Sequence, residues 1–263
     1  MTQLITDPQL VADLGAQAME EPAPVIVTVP PSASEVELPG GFITAGGSLV
    51  KYAEIRELNG ADEEAIAKAG STTRALNTIL QRGLVNLGGE PATSSDLDSL
   101  LMGDRDMLLL AIRKITFGDI VDLRLQCRSC GVSSDVKVNL TDDVEVKELD
   151  NPTDRRFTVK LKSGKAIVSL PQGLTHKKLM DSLDKTASEI TTVIIAGCLS
   201  EVNGAPAMGT PTALELSIKD RETIVTEIYK RNPGPRLGEV SKACEACGAL
   251  IAVPLGLADL FRI

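Results

Sequence analysis

The chain has 263 residues, a formal net charge of −9, and a composition that is 43% hydrophobic yet only 2% aromatic, with no tryptophan. A chain of this size can bury a substantial core. Its acidity argues against nucleic acid or membrane as a partner, since no compensating basic patch is present, and its lack of aromatics argues against platforms for stacking bases or sugars. No apolar run reaches the roughly 18 residues of a membrane span, and the start lacks the basic-then-apolar layout of a signal peptide, so the expected compartment is a cytoplasm.

Residues 1–34 stand apart in character. Thr6-Asp7-Pro8 has the form of a helix start, followed by a short apolar stripe of Leu10, Val11 and Leu14, and then by Pro22, Pro24, Pro30 and Pro31. This pattern predicts an arm with a small helix on a proline-rich tether, suited to docking on a neighbouring subunit.

The remainder repeats itself at an offset of about 115 residues. Gly103-Asp104-Arg105-Asp106-Met107 and the helical stretch after it recur as Lys219-Asp220-Arg221-Glu222-Thr223. Ile79 to Leu84 with Gly88-Gly89 aligns with Ile194 to Leu199 with Asn203-Gly204, and Phe42 to Leu58 resembles Phe157 to Leu170. The expectation is an α+β fold made of two tandem homologous copies, 36–150 and 153–263, packed about a pseudo-twofold axis. In each copy a hairpin leads to a short helix and then a longer one, Thr72 to Leu87 or Thr186 to Val202. A further helix precedes a pair of cysteines. Asp150-Asn151-Pro152 supplies turn chemistry between the copies. The glycine-rich stretch from Pro39 to Ser48 lacks the Gly-Lys-Ser/Thr of a phosphate loop and reads as a hairpin and its approach.

Four of the five cysteines fall in two Cys-x-x-Cys-Gly units, Cys127/Cys130 and Cys244/Cys247. That spacing makes a tight turn presenting two sulfurs, and the glycine after it permits the left-handed backbone that aims N–H groups at sulfur. The two pairs are too far apart in sequence for a compact zinc ribbon, but tandem copies bring equivalent turns together. Each copy then donates half of one tetrahedral structural zinc site. Four thiolates leave no open position for catalysis. The competing readings are a redox-active pair, structural disulfides and an iron–sulfur cluster. Strands on both sides of Cys127 disfavour the first, and a reducing cytoplasm disfavours the second. Cys198, on an apolar run, reads as a core residue.

No catalytic constellation emerges. The single histidine, His176, follows Thr175, read as an N-cap, and is expected on the exposed first turn of a helix. Asp104 and Asp220 read as caps of their own helices, Asp62-Glu63-Glu64 as an acidic helix start rather than a metal or acid/base pair, and Arg105 and Arg221 as solvated, as ties between the copies or as contacts for an acidic partner.

Several segments together resemble a known family. They are Val36 to Gly41, Ile55 to Glu64, Gly103 to Leu110, Phe117-Gly118-Asp119 and the Cys127 to Gly131 turn. The chain resembles the phage baseplate proteins related to T-even-type baseplate hub and hub-assembly subunits of contractile tails. The resemblance implies a non-enzymatic virion component that acts through contacts with other baseplate and tail proteins and has no small-molecule substrate. Two rivals are an assembly chaperone absent from the finished particle and a Cys-x-x-Cys redox protein.

Overall fold

The computed structural model describes residues 33–181 and 185–261. The arm expected over 1–34 therefore lies outside the described residues, except for Ala33 and Ser34, which open the first strand.

The first half begins with an antiparallel hairpin of β1 (Ala33–Ile43) and β2 (Leu49–Arg56). The turn falls at Thr44 to Ser48, inside the glycine-rich stretch. Helix α1 (Gly60–Ala67) follows, capped by Asn59, with Asp62 reaching back to the Asn59 N–H at 3.0 Å. Asp62 is buried and also meets Arg56 at 2.7 Å, so the acidic start is a capping box rather than a ligand pair. Next come α2 (Thr72–Gly83), β3 (Leu84–Leu87), β4 (Glu90–Pro91), α3 (Ser94–Ser99) and α4 (Met102–Phe117). The sheet runs β1-β2-β3-β4. Hairpin β5 (Ile120–Gln126) and β6 (Ser133–Asn139) carries the first cysteine turn, and β7 (Val146–Lys147) leads out.

The second half follows the same order. Strands β8 (Arg156–Leu161) and β9 (Gly164–Ser169) are followed by α5 (Gly173–Met180), α6 (Ala187–Cys198), β10 (Leu199–Val202), β11 (Ala205–Pro206), α7 (Thr210–Glu215) and α8 (Ile218–Arg231). The strands β8 to β11 again form a four-stranded sheet in sequential order. Strand β12 (Gly234–Pro235) pairs with β7 of the first half, and β13 (Ser241–Ala243) with β14 (Leu250–Ala252) frames the second cysteine turn before α9 (Leu257–Leu260).

The long helices end earlier than their apolar spacing suggests. Leu84 to Leu87 and Leu199 to Val202 are extended, because their backbone groups complete a sheet with β2 and β9. The tight turns that follow explain the switch: Gly88 and Gly89 have φ of +65° and +87°, and Asn203 and Gly204 have +53° and +83°. Two successive left-handed residues form the hairpin turn that matches strand twist.

Each half has its own core. Leu38, Ile55, Ile79, Leu80, Leu109 and Ile112 centre the first, and Val168, Ile195, Ala213 and Ile224 the second. A third core is shared. Leu110, Val138 and Leu140 from the first half pack with Val240, Val253 and Leu260 from the second. Burying these side chains together fixes the two cysteine hairpins against each other, at about 1.5–3 kcal/mol for each fully buried aliphatic.

Candidate metal centre

The two cysteine turns have the same local geometry. The Cys127 N–H donates to the Val132 carbonyl at 2.9 Å and Gly131 N–H to the Cys127 carbonyl at 2.8 Å; Cys244 N–H donates to Ala249 at 2.8 Å and Gly248 N–H to Cys244 at 2.7 Å. Gly131 and Gly248 sit at φ of +75° and +73°, where a side chain would be strained. Each turn closes a hairpin, as the alternation of apolar residues over 123–140 suggests.

The shared core brings the turns face to face. Cys127 Sγ lies 3.7 Å from Cys247 Sγ and Cys130 Sγ 3.8 Å from Cys244 Sγ, and all four sulfurs fall within 4.8 Å of one another. Among the described residues this is the one grouping of His, Cys, Asp or Glu side chains that could hold a metal ion. Cys127 and Cys244 are buried against Ile251, while Cys130 and Cys247 face outward, and all four are free thiols.

The local field favours a thiolate at Cys127 and opposes one at Cys130. Backbone N–H groups of Cys130 and Ser129 point at Cys127 and lower its thiol to about 7. Cys130 receives the Val132 N–H, which lowers it, but the sulfur of Cys247, burial and the sulfurs of Cys127 and Cys244 push it up to about 11. Four sulfurs this close cannot all carry negative charge unless a cation compensates them. Cys198 is elsewhere, in the second core, where burial pushes its thiol up to about 12.

The other polar residues build the scaffold, and four expectations need correction. His176 is buried, at 9% exposure, rather than on a surface turn. Helix α5 starts from Gln172 without a side-chain cap, and Thr175 is an interior residue packed on Gly197. The start is set by backbone contacts to the first half: Met102 N–H donates to Pro171 and Gly173 N–H to Leu100, both at 2.8 Å. This places His176 Nε2 3.8 Å from Asp106 Oδ1. Burial and then the nearby Arg105 lower its imidazole to about 4, while burial raises Asp106 to about 7.

Asp104 makes no capping bond to its own helix, which starts without a side-chain cap, and at its own helix start Asp220 meets only the Ser217 hydroxyl that caps it; both carboxylates instead hold the hairpins of their own halves. Gly40 N–H donates to Asp104 Oδ1 at 2.6 Å; Lys162 N–H donates to Asp220 Oδ1 at 2.6 Å and Ser163 Oγ to Asp220 Oδ2 at 2.9 Å. A carboxylate in the first turn of either helix reaches across to the hairpin packed on it, at Gly40 within β1 in the first half and at the β8–β9 turn in the second. Arg105 and Arg221 likewise bond inside their own halves, to the Leu97 and Ala213 carbonyls. Neither ties the copies together, and Arg105 is buried rather than solvated. Arginines that do cross include Arg155, whose guanidinium donates to the Gly40 carbonyl at 2.8 Å, and Arg113, whose Nε donates to the Leu260 carbonyl at 2.7 Å.

No helix among the described residues is long and apolar enough to cross a membrane. No curated protein and no solved structure matches the chain. A family model does: the T4 bacteriophage base plate protein family matches residues 50–205, from β2 through the first cysteine turn to β11. The match takes in more than half of the chain and most of the segments on which the resemblance was drawn. The chain belongs to the family of T4 bacteriophage base plate proteins, structural components of the phage tail.

Proposed function

We propose that this chain is a non-enzymatic component of the hub or wedge region of a contractile-tail baseplate, acting through protein–protein contacts and stiffened by a structural zinc. The ligands are Cys127, Cys130, Cys244 and Cys247. The observation that carries the metal assignment is the sulfur spacing. Tetrahedral zinc with Zn–S near 2.3 Å requires sulfurs about 3.8 Å apart, and the two cross-pairs stand at 3.7 and 3.8 Å. A closed four-thiolate ion supplies no chemistry beyond charge compensation and cross-linking.

The ligands come from hairpins far apart in sequence, one in each half. Closing so long a loop removes freedom from the unfolded chain, and binding free energy becomes folding free energy. The matching order of elements supports descent of 36–150 and 153–263 from a tandem duplication packed about a pseudo-twofold. The ion then locks the two copies. The arm at 1–34 is the segment suited to reach another baseplate or tail protein. Nucleic acid, membrane and small molecules have no part in this reading, and the chain enters the virion after assembly in the host cytoplasm.

Mass spectrometry of purified particles tests the role. Recovery of the chain in stoichiometric amount with baseplate proteins is expected. Its presence only in assembly intermediates identifies an assembly chaperone instead.

A further inference from the structure

The two halves meet through a contact that only one of them receives. Helix α5 of the second half seats its leading segment on the α3–α4 joint of the first. Besides the bonds Met102 N–H to Pro171 and Gly173 N–H to Leu100, Leu101 and Gln172 form a β-bridge, and Lys177 pairs with Asp98. Gly173 is required there, because a Cβ would lie 2.2 Å from the Leu97 carbonyl oxygen.

The equivalent joint of the second half, α7–α8, is open. Leu214 and Ile218, in the places of Asp98 and Met102, are 63% and 79% exposed. Leu216 and Ile218 occupy the places of Leu100 and Met102, yet among the described residues the Leu216 carbonyl and Ile218 N–H make no backbone bond of the kind made in the first half. The complementary groups are also present and also unused. Leu58, Asn59 and Gly60 lead into α1 as Pro171, Gln172 and Gly173 lead into α5. The Leu58 carbonyl and Gly60 N–H have no backbone partner among the described residues. Gly60 is exposed, with nothing among the described residues within 4 Å of where a Cβ would stand, so no contact among them calls for glycine at this position.

We propose that a second copy of this chain docks its Leu58–Gly60 segment and α1 on the α7–α8 joint, continuing head to tail the contact that α5 makes within the chain. The inference rests on the correspondence of the two halves and not on the metal. The new contact differs from its template in charge. Glu63 and Glu222 take the places of His176 and Asp106, with Lys219 paired to Glu222 at 3.5 Å offsetting part of the repulsion. Glu64 and Leu214 replace the Lys177–Asp98 ion pair. Backbone bonds and apolar burial of Leu214 and Ile218 therefore hold the contact, and added salt strengthens it by screening the two carboxylates.

Because the joined surfaces differ, the contact is heterologous and propagates into a ring or chain. Sedimentation velocity of the full chain, with zinc content checked, tests this with Gly60→Leu and Ile218→Asp, both at exposed positions that leave the melting temperature unchanged. The unaltered protein is expected to associate with rising concentration, and each variant to remain monomeric. An equal mixture of the two variants, which retains one intact pair of surfaces, is expected to give dimers and nothing larger. A monomeric unaltered protein at every soluble concentration, or variants that associate as it does, overturns the proposal. Normal zinc content in that case leaves the metal reading intact.

Discussion

Arg105 and Arg221 make the same bond in the two halves of the molecule: each guanidinium donates through Nη1 to the carbonyl of the residue eight positions earlier, Leu97 at 2.6 Å and Ala213 at 2.7 Å. Their second nitrogens also correspond, reaching Asn77 Oδ1 at 2.5 Å and Thr192 Oγ1 at 2.8 Å on the equivalent helices α2 and α6. In each half one cation ties three helices to one another. The environments differ in depth. Arg105 is almost fully buried under α5, whereas Arg221 is partly open at the uncovered joint.

That difference predicts unequal costs of removal. Arg105→Met strips bonds from the buried Leu97 carbonyl and the part-buried Asn77 amide and leaves Asp106 without its neighbouring cation, so a loss of about 3 kcal/mol is expected. Arg221→Met is expected to cost about 1 kcal/mol, since its bonds are part-buried or exposed rather than buried. Urea denaturation of both variants measures this; equal losses contradict the unequal covering of the halves.

Gly103 marks the tightest crossing between the halves. A Cβ there would lie 1.7 Å from the Pro233 carbonyl oxygen, and Gly234 opposite it has φ of +113°. The backbones of α4 and β12 therefore touch directly. Gly103→Ala is expected to destabilise the fold by about 3 kcal/mol or more, as overpacking of a site that cannot relax does. Lys219 holds the same place in the second half with an exposed side chain, and Lys219→Ala is expected to change stability by less than about 0.5 kcal/mol.

Asp104 gives the fold a pH dependence of defined sign. Burial outweighs the Gly40 N–H bond and the attraction of Arg155, and raises its carboxyl to about 6. The folded state therefore binds a proton that the unfolded state, with an ordinary carboxyl near 3.9, has released. Stability gained from this group is full below the unfolded value and lost as pH rises through about 6. Relative to Asp104→Asn, the unaltered protein is expected to gain roughly 1 kcal/mol between pH 7 and 5. Chemical denaturation of both at the two pH values measures it. A constant difference contradicts the burial of the charge.

His176 works in the opposite direction. Its imidazole is lowered to about 4 by burial and Arg105, so the folded state excludes a proton that the unfolded state takes up below its ordinary value. This contribution is present above about 6.5 and is lost as pH falls towards 4. As the one histidine in the chain, it gives an unambiguous proton NMR signal. The ring shifts are expected to stay flat from pH 8 to about 5.5; a midpoint near 6.5 contradicts its packing under Asp106.

The placement of His176 also shows where reading along the chain stops. The cysteine turns, the first hairpin and the matched stretches around Arg105 and Arg221 carry local signals: glycine at positive φ, period-two alternation and acidic helix starts. The turns at Gly88-Gly89 and Asn203-Gly204 are equally local. The early ends of α2 and α6 are not, because Leu84 and Leu199 continue an apolar helical spacing and become strand only through pairing with β2 and β9. Helix α5, with Lys177 and Lys178 on an otherwise modest apolar face, looks like a surface helix. Its burial depends on Asp106, Asp98 and the Leu100 carbonyl, all in the other half of the chain. Asp104 and Asp220 mislead for the same reason, since their partners Gly40 and Lys162 are some sixty residues away.

One ion, held by Cys127, Cys130, Cys244 and Cys247, is proposed to join the two halves. Elemental analysis of the purified native chain, combined with a count of reactive thiols before and after denaturing chelation, measures it directly. The expected result is one zinc per chain, with the four thiols released together only on denaturation with chelator and with zinc lost from both Cys127→Ser and Cys244→Ser. A metal-free native protein whose paired thiols react and oxidise readily would contradict the clamp and point to redox chemistry.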